Sequence, residues 1–541
     1  MNRERIQRVA RESYGIEQLR DVQVEAIDAA VEGRDVLAVW ATGSGKSAVY
    51  QIAATLRPGL SVVVSPLIAL QEDQLVRLQE APDAPEGVVL NSTRGEASRR
   101  EAWRRMREGE AEFVLLAPEQ LAKPEVIAGL AELEVSLLVV DEAHCIASWG
   151  HDFRPDYLLL GAVAERLGRP PIVALTATAS TPVREEIIER LALAPDAAVL
   201  IGDVDRPNIT LGVSRHGEDH DKRQAVLAQV TGLTGPGLLY TSTRRDAEWY
   251  AAELAARGVR SAAYHGGLPA AERRRVHELF HVDDVDVVVA TSAFGMGIDK
   301  PHVRFVVHAD VPDSIDAYYQ ELGRAGRDGM PATATLHYRP EDLALRRYFA
   351  TKPPGEAELR RIVAALGEGA RAPADLADAA EVTPRRLTAL LTLLVDTAAA
   401  RLEGGVVALR PDIDPAVAVA AALERAEDRE RIDRSRIDML RAYAETRRCR
   451  RQALLGYFGQ EPAEPCGNCD TCAGGSAYED AGAADTAAHG GFAVDDRVQH
   501  RVWGEGTVME VDDDRITVFF ESQGYKVLSL AVIAETGVLG R

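Results

Sequence analysis

The chain has 541 residues, 46% of them hydrophobic and 5% aromatic, which is too long for one hydrophobic core and predicts several globular domains. Its apolar runs are shorter than the roughly 18 residues of a membrane span, and its first fifteen residues carry charges where a signal peptide is apolar, so we expect a soluble, cytoplasmic protein. A formal net charge of −22 argues against broad attraction to nucleic acid, so any site for a phosphate polymer must be local.

Short runs rich in Val and Leu alternate with helical stretches through the first 338 residues. Residues 35–40 and 135–140 are examples, and the alternation is typical of βαβ units around a buried parallel sheet. Polar motifs follow most of these runs directly, where an open α/β sheet binds its ligands. We therefore predict an α/β fold with two parallel-sheet lobes, residues 1–205 and 206–345.

A glycine-rich segment follows the first predicted strand, at residues 41–47. Its backbone N–H groups can face phosphate oxygens, because Gly43 and Gly45 place no side chain in the way. Lys46 is expected to neutralise the β and γ phosphates, and Ser47 offers a hard oxygen to Mg²⁺. The predicted nucleotide site comprises Thr42, Gly43, Ser44, Gly45, Lys46 and Ser47.

An acidic segment, Asp141-Glu142-Ala143-His144, ends the strand predicted at 135–140. Asp141 is predicted to hold Mg²⁺ through water, and Glu142 to orient and deprotonate the attacking water of a phosphoryl transfer. An acidic loop that caps a helix is the alternative for this segment taken alone. Its pairing with the glycine-rich loop favours the catalytic reading.

Two arginines, Arg324 and Arg327, lie three residues apart beside glycines far downstream. They would share one face of a helix and are candidates for arginine fingers on a γ-phosphate. A solvated pair of arginines is the alternative. An arginine that reaches the site from the second lobe would couple hydrolysis to lobe closure.

Together and in this order, these segments resemble the superfamily-two helicases, and the finer text resembles the RecQ family. The supporting segments are 19–23, 65–70, 117–119, 176–179, 264–268 and 291–297. The resemblance implies two RecA-like lobes and an ATP-dependent DNA helicase that moves 3′ to 5′ on single-stranded and forked DNA in recombination and repair, with ATP, Mg²⁺ and Zn²⁺. It also implies that Arg20 and Gln23 read adenine, and that His144 and Gln320 belong to the catalytic set.

Residues 148–155 resemble an aromatic-rich loop that is found in the RecQ group. Trp149, Phe153 and Arg154 can stack on unpaired bases and report an occupied strand to Glu142. Core packing is the alternative for the two aromatic residues. The predicted DNA contacts are Ser65, Trp149, Phe153, Arg154, Thr291, Arg450 and Arg451.

Four of the five cysteines fall between positions 449 and 472 and resemble the RecQ zinc-binding subdomain. Cys449, Cys466, Cys469 and Cys472 would close a tetrahedron around Zn²⁺, which leaves no open position for catalysis and predicts a structural role. The flanking arginines would lie near DNA, with a solvated basic run as the alternative. Cys145 is expected to be a buried thiol.

The rest of the chain departs from typical RecQ proteins, in which a winged helix follows the zinc site. We predict a winged-helix-like domain at 346–415, with a plain helical spacer as the alternative, before a helical zinc-binding subdomain at 416–472. A flexible linker at 473–491 then leads to a small β-barrel at 492–541. The barrel resembles SH3-like or Tudor-like modules of UvrD-type helicases, which bind partners that include RNA polymerase, and its Trp503 is either a contact residue or core.

Two rival functions remain open on the sequence. An RNA helicase would use the same motor motifs, and a DNA-binding recruitment protein would retain the motor only as a remnant. The hairpin predicted at 402–409 is the one candidate strand-separating wing, and it lacks an aromatic tip. The sequence therefore predicts efficient translocation with weak unwinding.

Overall fold

The structure is a computed structural model that describes most of the chain. The described residues are 3–41, 44–66, 68–82, 84–91, 94–147, 154–292, 294, 300–343, 355–403, 406–460, 462–478, 491–493, 496–511, 515–520 and 522–540. Among the helices described, none combines the length and the apolar character that crossing a bilayer requires.

Lobe one is built on a parallel sheet of seven strands in the order β3-β4-β2-β5-β6-β1-β7. The strands are β1 (Val36–Val39), β2 (Leu60–Val64), β3 (Gly87–Leu90), β4 (Phe113–Leu116), β5 (Val135–Val140), β6 (Ile172–Thr176) and β7 (Ala198–Ile201). Most of them are buried along their whole length because helices cover both faces. Since β6 lies between β1 and β5, the segments that follow these three strands meet at one edge.

The helices of lobe one alternate with these strands, as the βαβ pattern predicts. They are Arg3–Tyr14, Asp21–Val31, Lys46–Leu56, Ile68–Glu80, Glu96–Arg107, Pro118–Leu121, Pro124–Ala131, Leu160–Arg166 and Thr181–Arg190, with 3-10 turns at Ala143–Ile146 and Pro155–Leu159.

Lobe two has a parallel sheet of six strands in the order β10-β11-β9-β12-β13-β8. The strands are β8 (Ile209–Arg215), β9 (Gly237–Tyr240), β10 (Ser261–Tyr264), β11 (Val287–Ala290), β12 (Phe305–His308) and β13 (Ala332–Tyr338), and the helices are Asp219–Gly232, Arg244–Ala256, Ala270–His281 and Ile315–Leu322. The proposed division at residue 205 falls between the two sheets.

A helical module with its own core follows lobe two. It contains three helices and an antiparallel hairpin: Glu356–Gly367, Pro373–Ala380, Pro384–Asp396, β14 (Ala400–Glu403) and β15 (Val406–Leu409). Thr383 caps the third helix by accepting a hydrogen bond from the Arg386 N–H group, with proline at the first helical position. Three helices and a hairpin are the elements of a winged helix.

The zinc region begins with a long helix, Pro415–Glu445, whose N-terminus is capped by the Asp414 carboxylate. Two short helices, Arg450–Tyr457 and Asp470–Ala473, and a 3-10 turn, Ser476–Tyr478, complete it. Most of the predicted linker, from 479 to 490, lies outside the described residues.

The C-terminal unit is a curled antiparallel sheet of five strands in the order β19-β18-β17-β16-β20, as expected for a small barrel. Its elements are β16 (Arg497–His500), β17 (Gly504–Val511), β18 (Arg515–Phe520), β19 (Gly524–Ser529), the helix Leu530–Thr536 and β20 (Leu539–Gly540). Trp503 stacks on His500 with ring centroids 3.9 Å apart, so its ring packs within the unit. The unit also packs against the long helix and lobe one, which a freely tethered module would not do.

Candidate nucleotide and zinc sites

The glycine-rich loop connects β1 to the helix Lys46–Leu56. Gly45 adopts a left-handed conformation with φ of +77°, which suits a residue without a side chain. The Gln23 side chain donates from Nε2 to the carbonyls of Ser44 and Gly45, both at 3.1 Å, and so fixes the end of the loop. Thr42 and Gly43 lie outside the described residues.

Gln23 is engaged at both ends of its carboxamide. Its Oε1 atom accepts a hydrogen bond of 2.8 Å from the Arg20 N–H group, and the side chain is buried. Adenine reading by Arg20 and Gln23 stays a prediction. It would require Gln23 to exchange one of these internal bonds for a bond to the base.

Lys46 is the first residue of the helix Lys46–Leu56, and its Nζ donates to the carbonyl of Trp40, just after β1, at 3.0 Å. Burial lowers the pKa of Lys46, while the carboxylates of Glu142 and Asp141 act to raise it and the Arg327 charge lowers it further. The Lys46 amine is therefore buried close to two carboxylates and one guanidinium group. Phosphate oxygens would complete the set of partners that favours its charged form.

Asp141 is the carboxylate that best fits a metal role. Burial raises its pKa, and Lys46 together with a 3.1 Å bond from Gln74 Nε2 acts in the opposite direction. A divalent cation would favour the charged form of such a buried group. Ser47, in the first turn of the helix, offers a second hard oxygen, and the hydroxyl of Ser44 is buried without a partner among the described residues. These groups fit Mg²⁺ and phosphate.

Glu142 has a left-handed backbone, with φ of 49°, which costs energy in a residue with a side chain. This conformation opens the turn Ala143–Ile146 and brings the Glu142 carboxylate 3.4 Å from Nδ1 of His144. Strain retained at such a position is typical of functional sites.

His144 connects three parts of the site. The Thr176 hydroxyl donates to the Thr178 carbonyl at 3.0 Å, so its oxygen accepts from His144 Nδ1, 2.9 Å away. The other ring nitrogen, Nε2, then accepts from Gln320 Nε2 at 3.3 Å. This pattern favours a proton on Nδ1.

Gln320 brings lobe two to this site from the helix Ile315–Leu322, and it also contacts the Thr178 hydroxyl at 3.3 Å. The helix ends before Gly323, so the two predicted fingers lie in turns beyond it. Arg324 is buried near the Tyr240 hydroxyl, whereas Arg327 is half-buried and lies close enough for its charge to lower the pKa of Lys46. The charges of both arginines act to lower the pKa of the Tyr240 hydroxyl, so the two side chains share this neighbour.

Most of the predicted DNA-contact loop is outside the described residues, including Trp149 and Phe153. Arg154 is described, and its Nη1 donates to the Pro66 carbonyl at 2.8 Å. Ser65 is fully buried and Thr291 is half-buried at the end of β11. Cys145 is fully buried, which confirms the expected buried thiol.

The four predicted zinc ligands come together, with their sulfur atoms within 4.8 Å of one another. A tetrahedron with Zn–S bonds of about 2.3 Å has edges of about 3.8 Å, so the cluster fits the metal. The Cys466 N–H group donates to Cys449 Sγ, and the Asn468 N–H group to Cys466 Sγ, each at 3.3 Å. Such bonds favour the thiolate form that zinc binds.

The burial of Arg450 and Arg451 argues against the DNA contacts predicted for them. Arg450 is 3% exposed and pairs with both carboxylate oxygens of Asp470, at 2.9 and 3.0 Å. Arg451 is 5% exposed, pairs with Asp205 and donates to the Ile209 carbonyl. The Arg450 guanidinium therefore bonds within the zinc region, whereas that of Arg451 holds this region to β8 of lobe two, and both side chains are buried.

Sequence reasoning missed several residues of the site. Gln74 reaches Asp141 from a helix whose sequence gives no sign of that contact, and Tyr157 donates to the Asp141 carbonyl at 3.0 Å. Thr176 and Thr178 belong to the segment 176–179 that carries the family resemblance, but the sequence alone indicates no role for them. Their position at the end of β6, between β1 and β5, is the signal that could have identified them.

The fold and the site define a two-lobed protein of the DEAD/DEAH box class. Family profiles match in succession: DEAD/DEAH box helicase at 20–187, helicase conserved C-terminal domain at 221–329, RecQ zinc-binding at 411–473 and PcrA/UvrD tudor domain at 494–534. The chain belongs to the RecQ family.

Individual relatives agree with this assignment. The chain is 34% identical to the ATP-dependent DNA helicase RecQ of Haemophilus influenzae, over 86% of this chain and 63% of that protein. It is 37% identical to the probable ATP-dependent DNA helicase RecS of Bacillus subtilis, over 63% and 68% of the two chains. The chain thus spans less than two thirds of the Haemophilus influenzae relative.

Among solved structures, the helicase Lhr of Mycobacterium smegmatis, bound to single-stranded DNA and AMP-PNP, aligns with a TM-score of 0.50 and 20% identity. The alignment covers 75% of this chain and 60% of that one. At this identity the likeness supports the fold alone.

Proposed function

We propose that the chain is an ATP-dependent DNA helicase that moves 3′ to 5′ along one strand and unwinds DNA in recombination and repair. The observation that carries the proposal is the contact between lobes, in which Gln320 lies 3.3 Å from His144. Lobe one supplies the amine and carboxylates of the cleft, and lobe two supplies an arginine. Hydrolysis in such a cleft is coupled to movement of the lobes.

Each charged residue has a task in the proposed reaction. Lys46 neutralises phosphate charge, and the N-terminus of its helix adds a favourable dipole. Asp141 and Ser47 would hold Mg²⁺, which supplies positive charge at the phosphates when bound. Glu142 accepts a proton from the attacking water, while Arg327 stabilises charge that develops on the γ-phosphate.

The proposed DNA path includes the loop that ends at Arg154 and the strand end at Thr291. Directly after this loop in the chain, Arg154 bonds the Pro66 carbonyl and Tyr157 bonds the Asp141 carbonyl. A strand that displaces the loop would therefore act on the backbone beside the catalytic carboxylates. This connection supports DNA-dependent hydrolysis, with Trp149 and Phe153 as proposed stacking residues.

The proposal extends to partners and location. Single-stranded and forked DNA are the proposed substrates, and a protein such as RNA polymerase is a proposed partner of the C-terminal unit. On that unit Val502 and Val527 are 80% and 54% exposed, which offers apolar contact area. We place the protein in the cytoplasm, whose reducing conditions suit a four-thiolate zinc site.

ATPase assays of the full chain with matched single strands of DNA and RNA test the function. We expect stimulation by DNA to exceed stimulation by RNA, followed by unwinding of forks and overhangs. Equal stimulation would favour an RNA helicase. DNA binding without ATP hydrolysis would favour a recruitment protein with a residual motor.

A further inference from the structure

The C-terminal unit presents two aromatic side chains to the motor. Phe519 and Tyr525 are 4% and 7% exposed, with ring centroids 5.0 Å apart. Both belong to the hydrophobic cluster of lobe two and the zinc region, and not to the core of their own unit. The Tyr525 ring lies 5.5 Å from that of Tyr457, so this face of the sheet is used inside the molecule.

A tight turn allows this close approach. Gly524 has a φ of +70°, and a Cβ atom there would lie 2.2 Å from Ser435 Oγ and 3.0 Å from the Ile432 Cα atom on the long helix. Only glycine fits without displacing that helix. The Arg431 side chain also bonds the Ser522 carbonyl. The turn before Tyr525 is thereby fixed against the zinc region.

Hydrogen bonds run from Tyr525 to lobe two. The Tyr525 hydroxyl donates to the Tyr457 hydroxyl at 3.3 Å, and Tyr457 donates to Asp316 Oδ2 at 2.6 Å. Asp316 is four residues before Gln320, on the same face of the helix Ile315–Leu322. The residue that contacts His144 is therefore one helical turn from the end of this chain of bonds.

The same aromatic pair also faces lobe one. Phe519 and Tyr525 line a small cavity together with His144, Thr178 and Val183 of lobe one. The C-terminal unit therefore forms one wall of the space behind the interlobe contact. Its position allows it to affect how the two lobes meet.

We propose that Tyr525, packed against Phe519, is a positioning residue for ATP hydrolysis. Through Tyr457 and Asp316 it holds the helix Ile315–Leu322 where Gln320 meets His144. The C-terminal unit is thus part of the motor as well as a surface for other molecules. This inference rests on the proposed ATP-dependent function.

The first test separates turnover from nucleotide binding. With saturating single-stranded DNA, Tyr525→Ala is expected to lower kcat about 10-fold and Tyr525→Phe about 2-fold, since the latter removes one buried hydrogen bond. The KM for ATP should stay unchanged, because Tyr525 does not line the phosphate loop. Val532→Ser, at a side chain of the same unit that is 50% exposed, is the matched control and should behave as the unchanged protein.

A double-mutant cycle then tests whether Tyr525 acts through Gln320. If Tyr525 acts through Gln320, the variant with both Tyr525→Ala and Gln320→Ala loses no more activity than Gln320→Ala alone. Losses that multiply would overturn the proposal, as would wild-type kcat in Tyr525→Ala.

Hydrogen exchange provides a second test, which does not depend on enzyme activity. In Tyr525→Ala the amides of Ile315–Leu322 should exchange about 10-fold faster, while those of β18 stay protected, which shows that the C-terminal unit remains folded. Unchanged exchange in the helix would overturn the inference. If the unaltered chain shows no DNA-stimulated ATPase, the proposed function fails, and faster exchange in this test would still support the positioning contact.

Discussion

At the scale of single residues, the nucleotide site depends on charges that compensate one another in a confined space. Lys46 faces Asp141 and Glu142. The pKa shifts of Lys46 and Asp141 follow from burial first and from the neighbouring opposite charges second. A substitution at Lys46, Asp141 or Glu142 changes the charge available to phosphate but leaves the proposed DNA path unaltered.

We expect Lys46→Ala and Glu142→Gln each to lower DNA-stimulated kcat by on the order of 10²-fold or more, because charge stabilisation and water activation are lost. Affinity for single-stranded DNA should change little. Paired measurements of ATPase and of DNA binding by fluorescence anisotropy check both parts. The exposed Glu132→Gln is a charge-matched control, and normal turnover in Glu142→Gln would contradict the assignment.

A second residue-scale prediction concerns acid sensitivity of lobe two. Burial, with the neighbouring His216 and Lys222, lowers the pKa of His337 to about 3, and His337 bonds Gln229 Oε1 at 2.7 Å and His216 Nε2 at 2.9 Å. A folded pKa below the ordinary value gives stability that is complete above about pH 6.5 and is lost as the pH falls towards 3. Opening of β13 should become easier by about 2 kcal/mol at pH 5.

Hydrogen exchange of β13 as a function of pH measures this effect. His337→Gln should flatten the pH dependence, whereas His281→Gln, at an exposed histidine, should leave it unchanged. An equally steep pH dependence in His337→Gln would show that other groups cause it.

At the scale of elements, the helix Thr181–Arg190 holds two accessory units to lobe one. Its Arg190 donates to Asp396 of the helical module at 2.5 Å, and its Glu185 pairs with Arg497 of the C-terminal unit. Burial alone would raise the pKa of Asp396, but Arg425 and Arg190 hold it below its ordinary value. One helix thus fixes both units.

Loss of the Asp396 carboxylate should loosen the helical module. We expect Asp396→Asn to destabilise it by about 2 kcal/mol, because partly buried arginines lose their shared partner. Thermal unfolding, followed with exchange in Pro384–Asp396, checks this. Asp412→Asn, which breaks an exposed pair with Arg410, is the control and should cost little.

The hairpin of the helical module leads to a prediction about unwinding. Val407 is 1% exposed and packs in the core of the module, so deletion of all of 402–409 would disturb the fold as well as the wing. Shortening the hairpin between Leu402 and Val407 is the cleaner change. We expect it to reduce fork unwinding several-fold more than ATPase, and unchanged unwinding of long duplexes would place the wedge elsewhere.

Elements that depend on local pattern could be predicted from the sequence, and contacts between distant segments could not. Apolar runs predict buried strands such as β1 and β5, and the spacing of the four cysteines predicts the zinc ligands. The burial of Arg450 and Arg451 depends on Asp470 and on the distant Asp205, which no local pattern indicates. The docking of Tyr525 likewise depends on a surface made by the long helix and lobe two.

At the scale of the whole molecule, the zinc region closes the edge of lobe two. The Leu211 N–H group donates to the Asn468 carbonyl at 3.3 Å, and the Val213 N–H group to Asp470 Oδ2 at 3.2 Å. These bonds lie along β8, the edge strand of the sheet. The metal that shapes the segment around Asn468 therefore also supports a strand about 260 residues earlier in the chain.

We expect one Zn²⁺ per chain, and we expect Cys469→Ser to lose the metal and lower the thermal midpoint, because zinc binding supports folding. Metal analysis of protein purified without chelator, alongside thermal unfolding, measures both effects. Cys145→Ser should keep the metal, since Cys145 lies in lobe one. A chain that folds fully without zinc would contradict the structural role.

Removal of the metal would also change how molecules of this protein behave towards one another. A bare edge strand offers unpaired N–H and C=O groups to any extended chain, and two copies of β8 can satisfy one another by pairing. Metal-depleted protein should therefore form concentration-dependent oligomers rich in intermolecular β-structure, which light scattering and infrared spectroscopy would detect. Zinc binding would thus protect the protein against aggregation through β8.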